Sequence, residues 1–162
     1  MNLLELFGGM KELKEAFPRA SGELIETLAD RMHKNILRSF GRWPTREFSY
    51  PIWLQPLAPD TQKDRADHGY TKNRPLLRNG FLRDTTEKTV NARDGWAVIG
   101  SPQKYALYQE LGTISGGPGN IRGTIAGHFY IPPRPIFGKA VLEAHQWLQQ
   151  NGESVYGNFL KL

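Results

Sequence analysis

Few side chains in this sequence have the types and spacing that chemistry requires, and none of them forms a catalytic set. No histidine has the spacing of a paired metal ligand. The four are His33, His68, His128 and His145. The chain has no cysteine to act as a thiol nucleophile, and it has no Gly-x-Ser-x-Gly segment. Glu110 lies near two tyrosines, but one carboxylate without an acid–base partner makes no mechanism. The sequence therefore predicts a protein that is not an enzyme and uses no cofactor.

One cluster of oxygen and imidazole groups occurs, in the polar run between residues 60 and 70. Its members are Asp60, Asp64, Asp67 and His68. They lack the dense ligand pattern of a calcium-binding loop. The run therefore predicts a solvated, irregular segment and no metal site.

Two short segments have the strongest local constraints. Lys104–Thr113, KYALYQELGT, crowds apolar and aromatic side chains into two turns and predicts a short helix. Gly112 is expected to end that helix, because glycine readily takes the left-handed conformation. Tyr130–Phe137, YIPPRPIF, has three prolines that fix φ and remove backbone donors, which predicts an extended arm. Arg134 lies between two of these prolines, on a stiff stretch of chain.

Two long helices are predicted on either side of these segments. The first runs from Pro18 to Phe40 and ends at Gly41; His33 is expected on its exposed polar side. The second runs from Ile136 to Gln150, and Gly152 is expected to break it. The inward residues are Leu24, Ile25, Leu28, Ala29, Met32, Ile36 and Phe40 on the first helix, and Ile136, Phe137, Ala140, Val141, Ala144 and Leu148 on the second.

Both ends of the chain have two interpretations. Residues 1–17 predict a helix that is interrupted by Gly8 and Gly9. It either frays against the core or forms an N-terminal arm that orders on a neighbour. Residues 152–162 are expected to form a C-terminal tail that packs back or docks on a neighbour, and we favour docking. The candidate docking residues are Val155, Tyr156, Phe159 and Leu160.

The middle of the chain predicts a β-hairpin after a long loop. Residues 41–85 show no sustained period and contain five prolines, so we expect an irregular loop that Leu57 helps to hold on the core. Glu87–Ala92 and Trp96–Ser101 predict two strands joined by a turn at Arg93-Asp94-Gly95. Both faces of the second strand carry apolar groups, which predicts a central, covered strand. His128–Ile131 is a candidate third strand.

These elements predict one α+β domain over residues 1–162. A small antiparallel β-sheet would be packed by a long N-terminal helix and a C-terminal helix, with the long irregular loop between them. A chain of this length is most simply a single domain.

The net charge of +5 is concentrated in the middle of the chain. Residues 41–104 hold eleven basic and seven acidic residues, an excess that predicts a solvated surface. No apolar run approaches the roughly 18 residues that a membrane span needs. No basic residue precedes Lys11, which argues against a secretory signal. We therefore expect a soluble protein made in a cytoplasm, with no membrane partner.

Several of these runs resemble a known family. YALYQELGT, a glycine-rich gap and PPRPIFGKA resemble the signature of tailed-bacteriophage tail-completion and head–tail joining proteins. WLQPLAPDT and RPLLRNGFLRDTT are similar to the related virion-morphogenesis proteins of Mu-like phages. The resemblance covers most of the chain, from about Ser21 to Gln150. The glycine loop 112–127 and the C-terminal extension depart from the simplest members.

The resemblance implies a structural virion protein at the neck or the top of the tail. Such proteins form a ring, usually hexameric, that links the head connector to the tail, and they are made in the bacterial host cytoplasm. The implied partners are further copies of the chain, tail terminator or tail tube proteins, head connector or adaptor proteins and, non-specifically, DNA in the lumen. The positions carried over to an oligomer or partner interface are Tyr105, Tyr108, Gly112, Thr113, Pro133, Arg134, Pro135, Phe137, Leu77, Leu82 and Arg83.

A basic nucleic-acid-binding module is the alternative function. It would use the cations around RPLLRNGFLRDTT to neutralise phosphates. The candidate residues are Lys72, Arg74, Arg78 and Arg83. The segment also predicts a short helical turn that packs four hydrophobic side chains. We favour that interpretation, because single-strand-binding surfaces present several aromatic side chains and this segment has one.

Overall fold

The computed structural model describes residues 3–43, 56–114, 117–118 and 130–159. Its helices and strands follow one another in the order α1 (Leu3–Ser39), α2 (Pro59–Asp67), α3 (Phe81–Asp84), β1 (Glu87–Asn91), β2 (Trp96–Gly100), α4 (Lys104–Leu111), β3 (Thr113–Ile114), β4 (Gly117–Pro118), β5 (Tyr130–Ile131) and α5 (Phe137–Phe159). The predicted α+β class, with two long helices and a small antiparallel sheet, is confirmed.

The core lies where α1 and α5 pack together, with α3 and α4 closing over them. Its buried members are Ile36, Phe40, Leu82, Ala106, Ile136 and Ala140. Small side chains on α5, Ala140 and Ala144, are buried and allow a close approach to α1. The helix pair is also joined by a hydrogen bond from Asn35 Nδ2 to Glu143 Oε2 at 3.0 Å. The guanidinium of Arg31 lies 4.7 Å from the ring centre of Trp147.

Helix α1 continues through Pro18, so the predicted break before that residue is wrong. Proline removes one internal hydrogen bond, but helix can continue on both sides of it. The predicted end is confirmed: Gly41 has φ +75°, and a Cβ there would lie 2.8 Å from Leu77 Cδ2. The side chains of residues 3–17 lie outside the described set, so the N-terminal arm stays a prediction.

Helix α2 lies within the interval 41–85 that we expected to be irregular, whereas α3 lies in the segment RPLLRNGFLRDTT, where a short helical turn was predicted. The polar run from residue 60 is helical as far as Asp67, so its prediction as irregular chain is wrong. Pro59 opens this helix, in the first turn where a missing amide hydrogen costs little. Leu57 is buried as predicted. Residues 44–55 lie outside the described set.

The hairpin is confirmed, with β1 and β2 paired antiparallel from Glu87 opposite Gly100 to Asn91 opposite Trp96. Strand β2 is not a covered, central strand, because in the described part of the chain it pairs with β1 alone. Trp96 and Val98 are consequently 45% and 61% exposed. Within the predicted third strand, the described residues Tyr130–Ile131 form β5, which pairs with β3 in a separate sheet. His128 lies outside the described residues.

Helix α5 passes through Gly152 and ends at Phe159, so the predicted break at that glycine is wrong. A helical glycine costs about 1 kcal/mol, and the seven residues after it continue the helix. The predicted inward residues Ile136, Ala140 and Ala144 are buried, but Val141 is 52% exposed. The side chains of Val155, Tyr156, Phe159 and Leu160 lie outside the described set, and their docking role stays a prediction.

Candidate functional site

The two segments singled out in the sequence, α4 and the proline-rich arm, lie against each other. The backbone amide of Arg134 donates to the carbonyl oxygen of Gln109 at 2.6 Å. Helix α4 has the predicted bounds, and Gly112 at its end has φ +70°. The arm at residues 132–135 is irregular and leads directly into α5. The end of α4 is therefore attached to the start of α5.

Glu110 also joins α4 to α5, because its carboxylate caps the beginning of α5. Oε2 accepts hydrogen bonds from the amides of Ile136 at 2.8 Å and Phe137 at 3.2 Å. Oε1 accepts one from the amide of Gly138 at 2.7 Å. The first amides of a helix have no partner inside the helix, and a carboxylate also interacts favourably with the positive end of its dipole. We call this group of four residues the Glu110 cap.

Two further observations describe how tightly the Glu110 cap is built. A Cβ added at Gly138 would lie 3.2 Å from Glu110 Oε1, a closer approach than carbon normally makes. Burial raises the pKa of Glu110 above its ordinary value, while the three amide hydrogen bonds act in the opposite direction. The carboxylate is thus held by the protein's own backbone, which indicates a structural role.

The capping role of Glu110 was not predicted from the sequence, in which this residue was a candidate acid or base only. A helix cap is normally recognised one to three residues before the helix. Glu110 lies 26 residues before Ile136, the first residue to which it binds. The only local signal is that no serine, threonine, asparagine or aspartate stands in the arm before Ile136. That absence leaves the cap to be supplied from elsewhere in the chain.

Two of the predicted interface residues have buried side chains, which corrects their assignment to a surface. Arg134 and Leu82 are each 5% exposed, because Leu82 belongs to the core and Arg134 is enclosed by the arm and α4. A substitution of Arg134 would therefore disturb the packing of the interior, and its effect on assembly would not by itself report on an interface. Of the other predicted residues, Leu77, Tyr108, Pro133, Pro135 and Phe137 are half-buried, Gly112 is buried, Tyr105 and Arg83 are exposed, and the side chain of Thr113 lies outside the described set.

The outer face of α4 remains available to a partner. Opposite the buried Ala106, this face carries Tyr105, Leu107 and Leu111, which are 41%, 51% and 43% exposed. Beside it, the end of β2 and the start of α5 form an open groove of about 600 Å³ that includes Ile99, Leu107, Tyr108 and Phe137 among its lining residues. Exposed apolar side chains next to a groove are typical of protein–protein contact surfaces. We refer to Tyr105, Leu107, Tyr108 and Leu111 as the α4 outer face.

The four candidate nucleic-acid-facing residues do not form one free cationic surface. Lys72 and Arg74 are exposed. Arg78 Nη2 lies 3.1 Å from Asp64 Oδ2, and Arg83 Nε lies 2.8 Å from Asp84 Oδ1. Because carboxylates already neutralise two of the four cations, the charge available to phosphates is smaller than the sequence indicates.

The cluster between residues 60 and 70 is occupied by internal contacts. His68 Nδ1 lies 3.3 Å from Asp64 Oδ1, while Arg78 contacts the same carboxylate. Within the described ranges, no group of three or more histidine, aspartate or glutamate side chains has the geometry of a metal site. His33 is half-buried, with Nε2 3.1 Å from the carbonyl oxygen of Thr86, so its predicted exposure is wrong.

Comparison with family models, curated proteins and solved structures finds no match to this chain. Among the described helices, none is both long enough and apolar enough to cross a membrane. Its function must be inferred from its own residues.

Proposed function

We propose that this protein is a structural component of the bacteriophage neck or tail top, where it forms a ring that completes the tail and joins it to the head connector. It acts without catalysis, and its partners are further copies of the chain, tail terminator or tail tube proteins, and connector or adaptor proteins. It is assembled in the host cytoplasm and retained in the virion.

The observation that carries this proposal is the attachment of α4 to the start of α5. The two runs with the strongest family resemblance, around residues 105–113 and 132–140, are joined by the Glu110 cap and by the bond from Arg134 to Gln109. Their joint occurrence in the sequence thus has a physical basis. A motif pair that builds one rigid unit supports the resemblance more strongly than two unrelated strings would.

The α4 outer face supports an assembly role. This unit presents Tyr105, Leu107 and Leu111 to solvent, and Leu107 also lines the groove formed by the end of β2 and the start of α5. Tyrosine is enriched among the residues that contribute most of the binding energy in protein interfaces, and the two leucines add apolar surface beside it. A face on one copy that meets a different face on the next copy gives a ring when the rotation between copies closes.

The direct test is reconstitution of joining. Particles of the encoding phage grown without this protein are expected to accumulate as separate heads and tails, and purified chain should join them. Quantitative mass spectrometry of the finished particles should find a ring-sized copy number relative to the capsid protein. Free heads and tails that stay separate after addition of folded protein would contradict the proposal.

A matched pair of variants locates the interface. Leu107→Glu on the α4 outer face should abolish joining, because a charge would enter an apolar contact. Leu142→Glu on α5 is the control, since both leucines are 51% exposed and both lie on helices. Circular dichroism should show that both variants fold. An equal loss of joining in the two variants would contradict the assignment of the interface to α4.

The salt dependence of DNA binding distinguishes the nucleic-acid-binding alternative from the assembly role. It requires that the logarithm of the DNA-binding constant fall linearly with the logarithm of the salt concentration, with a slope near −0.9 for each phosphate neutralised. Arg78→Gln and Arg83→Gln should lower that slope if these cations face phosphates. Weak, non-specific binding is compatible with DNA in a ring lumen, whereas tight, sequence-selective binding would favour the alternative.

A further inference from the structure

A cavity lined by arginines lies between α2, the 76–79 segment, α4 and the proline-rich arm. Its volume is about 290 Å³, and three arginines line it: Arg65, Arg78 and Arg134. Arg65 and Arg134 are 6% and 5% exposed. None of the described residues that line this cavity carries a carboxylate. We call it the arginine cavity.

Arg65, on α2, is held in the wall of the arginine cavity by hydrogen bonds to the segment 74–77. Its Nη1 donates to the carbonyl oxygens of Arg74 and, at 3.2 Å, of Leu77. These carbonyls bracket Leu76, which has φ +58° and is the one non-glycine residue with positive φ in the described chain. A leucine in this conformation is strained. A buried guanidinium therefore fixes a strained loop at the edge of the cavity.

The hydrogen-bonding capacity of Arg65 is not fully used. Its Nε is buried and has no hydrogen-bond partner among the described residues. A guanidinium has five N–H donors, and leaving a buried donor unbonded is costly. Burial and the nearby charge of Arg78 lower the pKa of Arg65, and Asp64 only partly offsets this. Asp64 is itself in contact with Arg78 and His68.

The walls of the arginine cavity show what kind of anion suits it. Leu57, Leu76, Leu82 and Pro132 supply apolar surface, and Thr61, Asn79 and Gln109 supply neutral polar groups. A carboxylate on a short apolar stem would place its head against the arginines and its methylenes against the leucines. The volume is close to the lower limit of small-molecule sites, roughly 300 Å³, so the group that enters is small.

A nucleic-acid phosphate fits this arrangement less well. Phosphates are contacted by cations that project from a surface. The two most buried arginines here, Arg65 and Arg134, are 6% and 5% exposed, so they do not project from the surface. The cavity therefore favours a single inserted anionic side chain over a charged backbone that runs across the surface.

We infer that the arginine cavity binds the carboxylate of a glutamate or aspartate side chain presented by a partner protein. The carboxylate approaches the exposed Arg78 and the buried Arg65, and the adjoining methylenes contact the apolar part of the wall. The inference holds for any acidic partner and does not rest on the proposed role in the virion.

The experiment is a titration followed by NMR of the arginine Nε–H groups in ¹⁵N-labelled full-length protein. The probe is N-acetyl-glutamate α-amide, which carries one side-chain carboxylate and no other charge; N-acetyl-glutamine α-amide is its neutral isostere. The glutamate probe should shift the Arg65 Nε–H resonance in a saturable manner, with a dissociation constant on the order of 1 mM. The glutamine probe should shift it at least about tenfold more weakly.

A matched pair of variants tests the location without disturbing the fold. Arg78→Gln should weaken binding of the glutamate probe about fivefold. Arg83→Gln should leave it unchanged, although Arg78 and Arg83 are 48% and 45% exposed and each is paired with an aspartate. Arg83 does not line the cavity. Equal effects of the two variants would overturn the assignment.

Two further arms separate the sources of the anion. Inorganic phosphate and a short DNA duplex are titrated against the same Arg65 resonance. Weaker binding of both than of the glutamate probe supports the inference. A tighter response to phosphate or to duplex would overturn it, as would the absence of any shift with the glutamate probe at 50-fold its expected dissociation constant, about 50 mM.

Discussion

The Glu110 cap and the arginine cavity both involve α4, and both contain buried charge, but the two regions treat that charge differently. The Glu110 carboxylate accepts three backbone hydrogen bonds from the start of α5. Arg65 donates to two backbone carbonyls, while among the residues that the structure describes its Nε has no partner and no carboxylate lines the cavity. A buried charge that is satisfied by its own chain supports the fold, whereas one that is not satisfied favours a ligand.

The comparison predicts its largest effect at Arg65. Arg65→Met should lower the free energy of unfolding by about 3 kcal/mol, because two part-buried carbonyl acceptors beside the strained Leu76 lose their donor. Arg78→Met is the control, since that side chain is 48% exposed and its ion pair contributes little. Urea denaturation followed by circular dichroism measures both. A loss below about 1 kcal/mol for Arg65→Met would mean that the loop holds its conformation unaided.

A smaller loss is expected at the Glu110 cap. Glu110→Ala should cost about 2 kcal/mol, since it removes the acceptor of three amides at a helix start, to which water has partial access. Glu153→Ala on the exposed part of α5 serves as the comparison and should change stability by less than about 0.5 kcal/mol. The same denaturation experiment applies. Equal stabilities of the two variants would show that the cap has no structural role.

The smallest effect is the pH dependence of the Glu110 cap. The pKa of Glu110 is raised above its ordinary value of 4.5, chiefly by burial. The folded protein therefore holds this proton more tightly than the unfolded chain does, and the additional stability that comes from protonation of Glu110 is full below pH 4.5 and is lost as pH rises through the raised pKa.

The measurement is the difference in unfolding free energy between the wild-type protein and Glu110→Gln, followed across the acid range. This difference should move in favour of the wild-type protein as pH falls through the raised pKa towards 4.5. Movement in the opposite direction would show that the three amide hydrogen bonds outweigh burial. The ionised carboxylate would then be the form that the fold prefers.

Elements whose conformation depends on residues adjacent in the sequence could be predicted from the sequence alone. Helix α4, its end at Gly112, the hairpin turn at residues 93–95 and the end of α1 at Gly41 all agree with the structure. Each depends on local conformational preferences, because glycine adopts positive φ and an Asp-Gly turn favours a hairpin. The apolar spacing on α1 similarly indicated the buried residues Leu24, Ala29, Ile36 and Phe40.

The predictions that were wrong concern residues whose role depends on contacts distant in sequence. Proline and glycine weaken a helix locally, yet α1 continues through Pro18 and α5 through Gly152. Both faces of β2 are apolar, yet Trp96 and Val98 remain exposed because no further strand of the described chain pairs with β2. A local propensity is worth about 1 kcal/mol or less for most residues, so the tertiary arrangement readily overrides it.

The Glu110 cap and the arginine cavity show which properties are local in sequence and which depend on the tertiary structure. The sequence established that α4 and the proline-rich arm are rigid, because ring closure in proline and the end of a helix at glycine are local properties. Only the tertiary structure placed Glu110 at the start of α5 and buried Arg134 and Arg65 in the wall of one cavity. Burial and charge pairing are properties of the spatial neighbourhood, and in this chain those neighbours come from segments far apart in sequence.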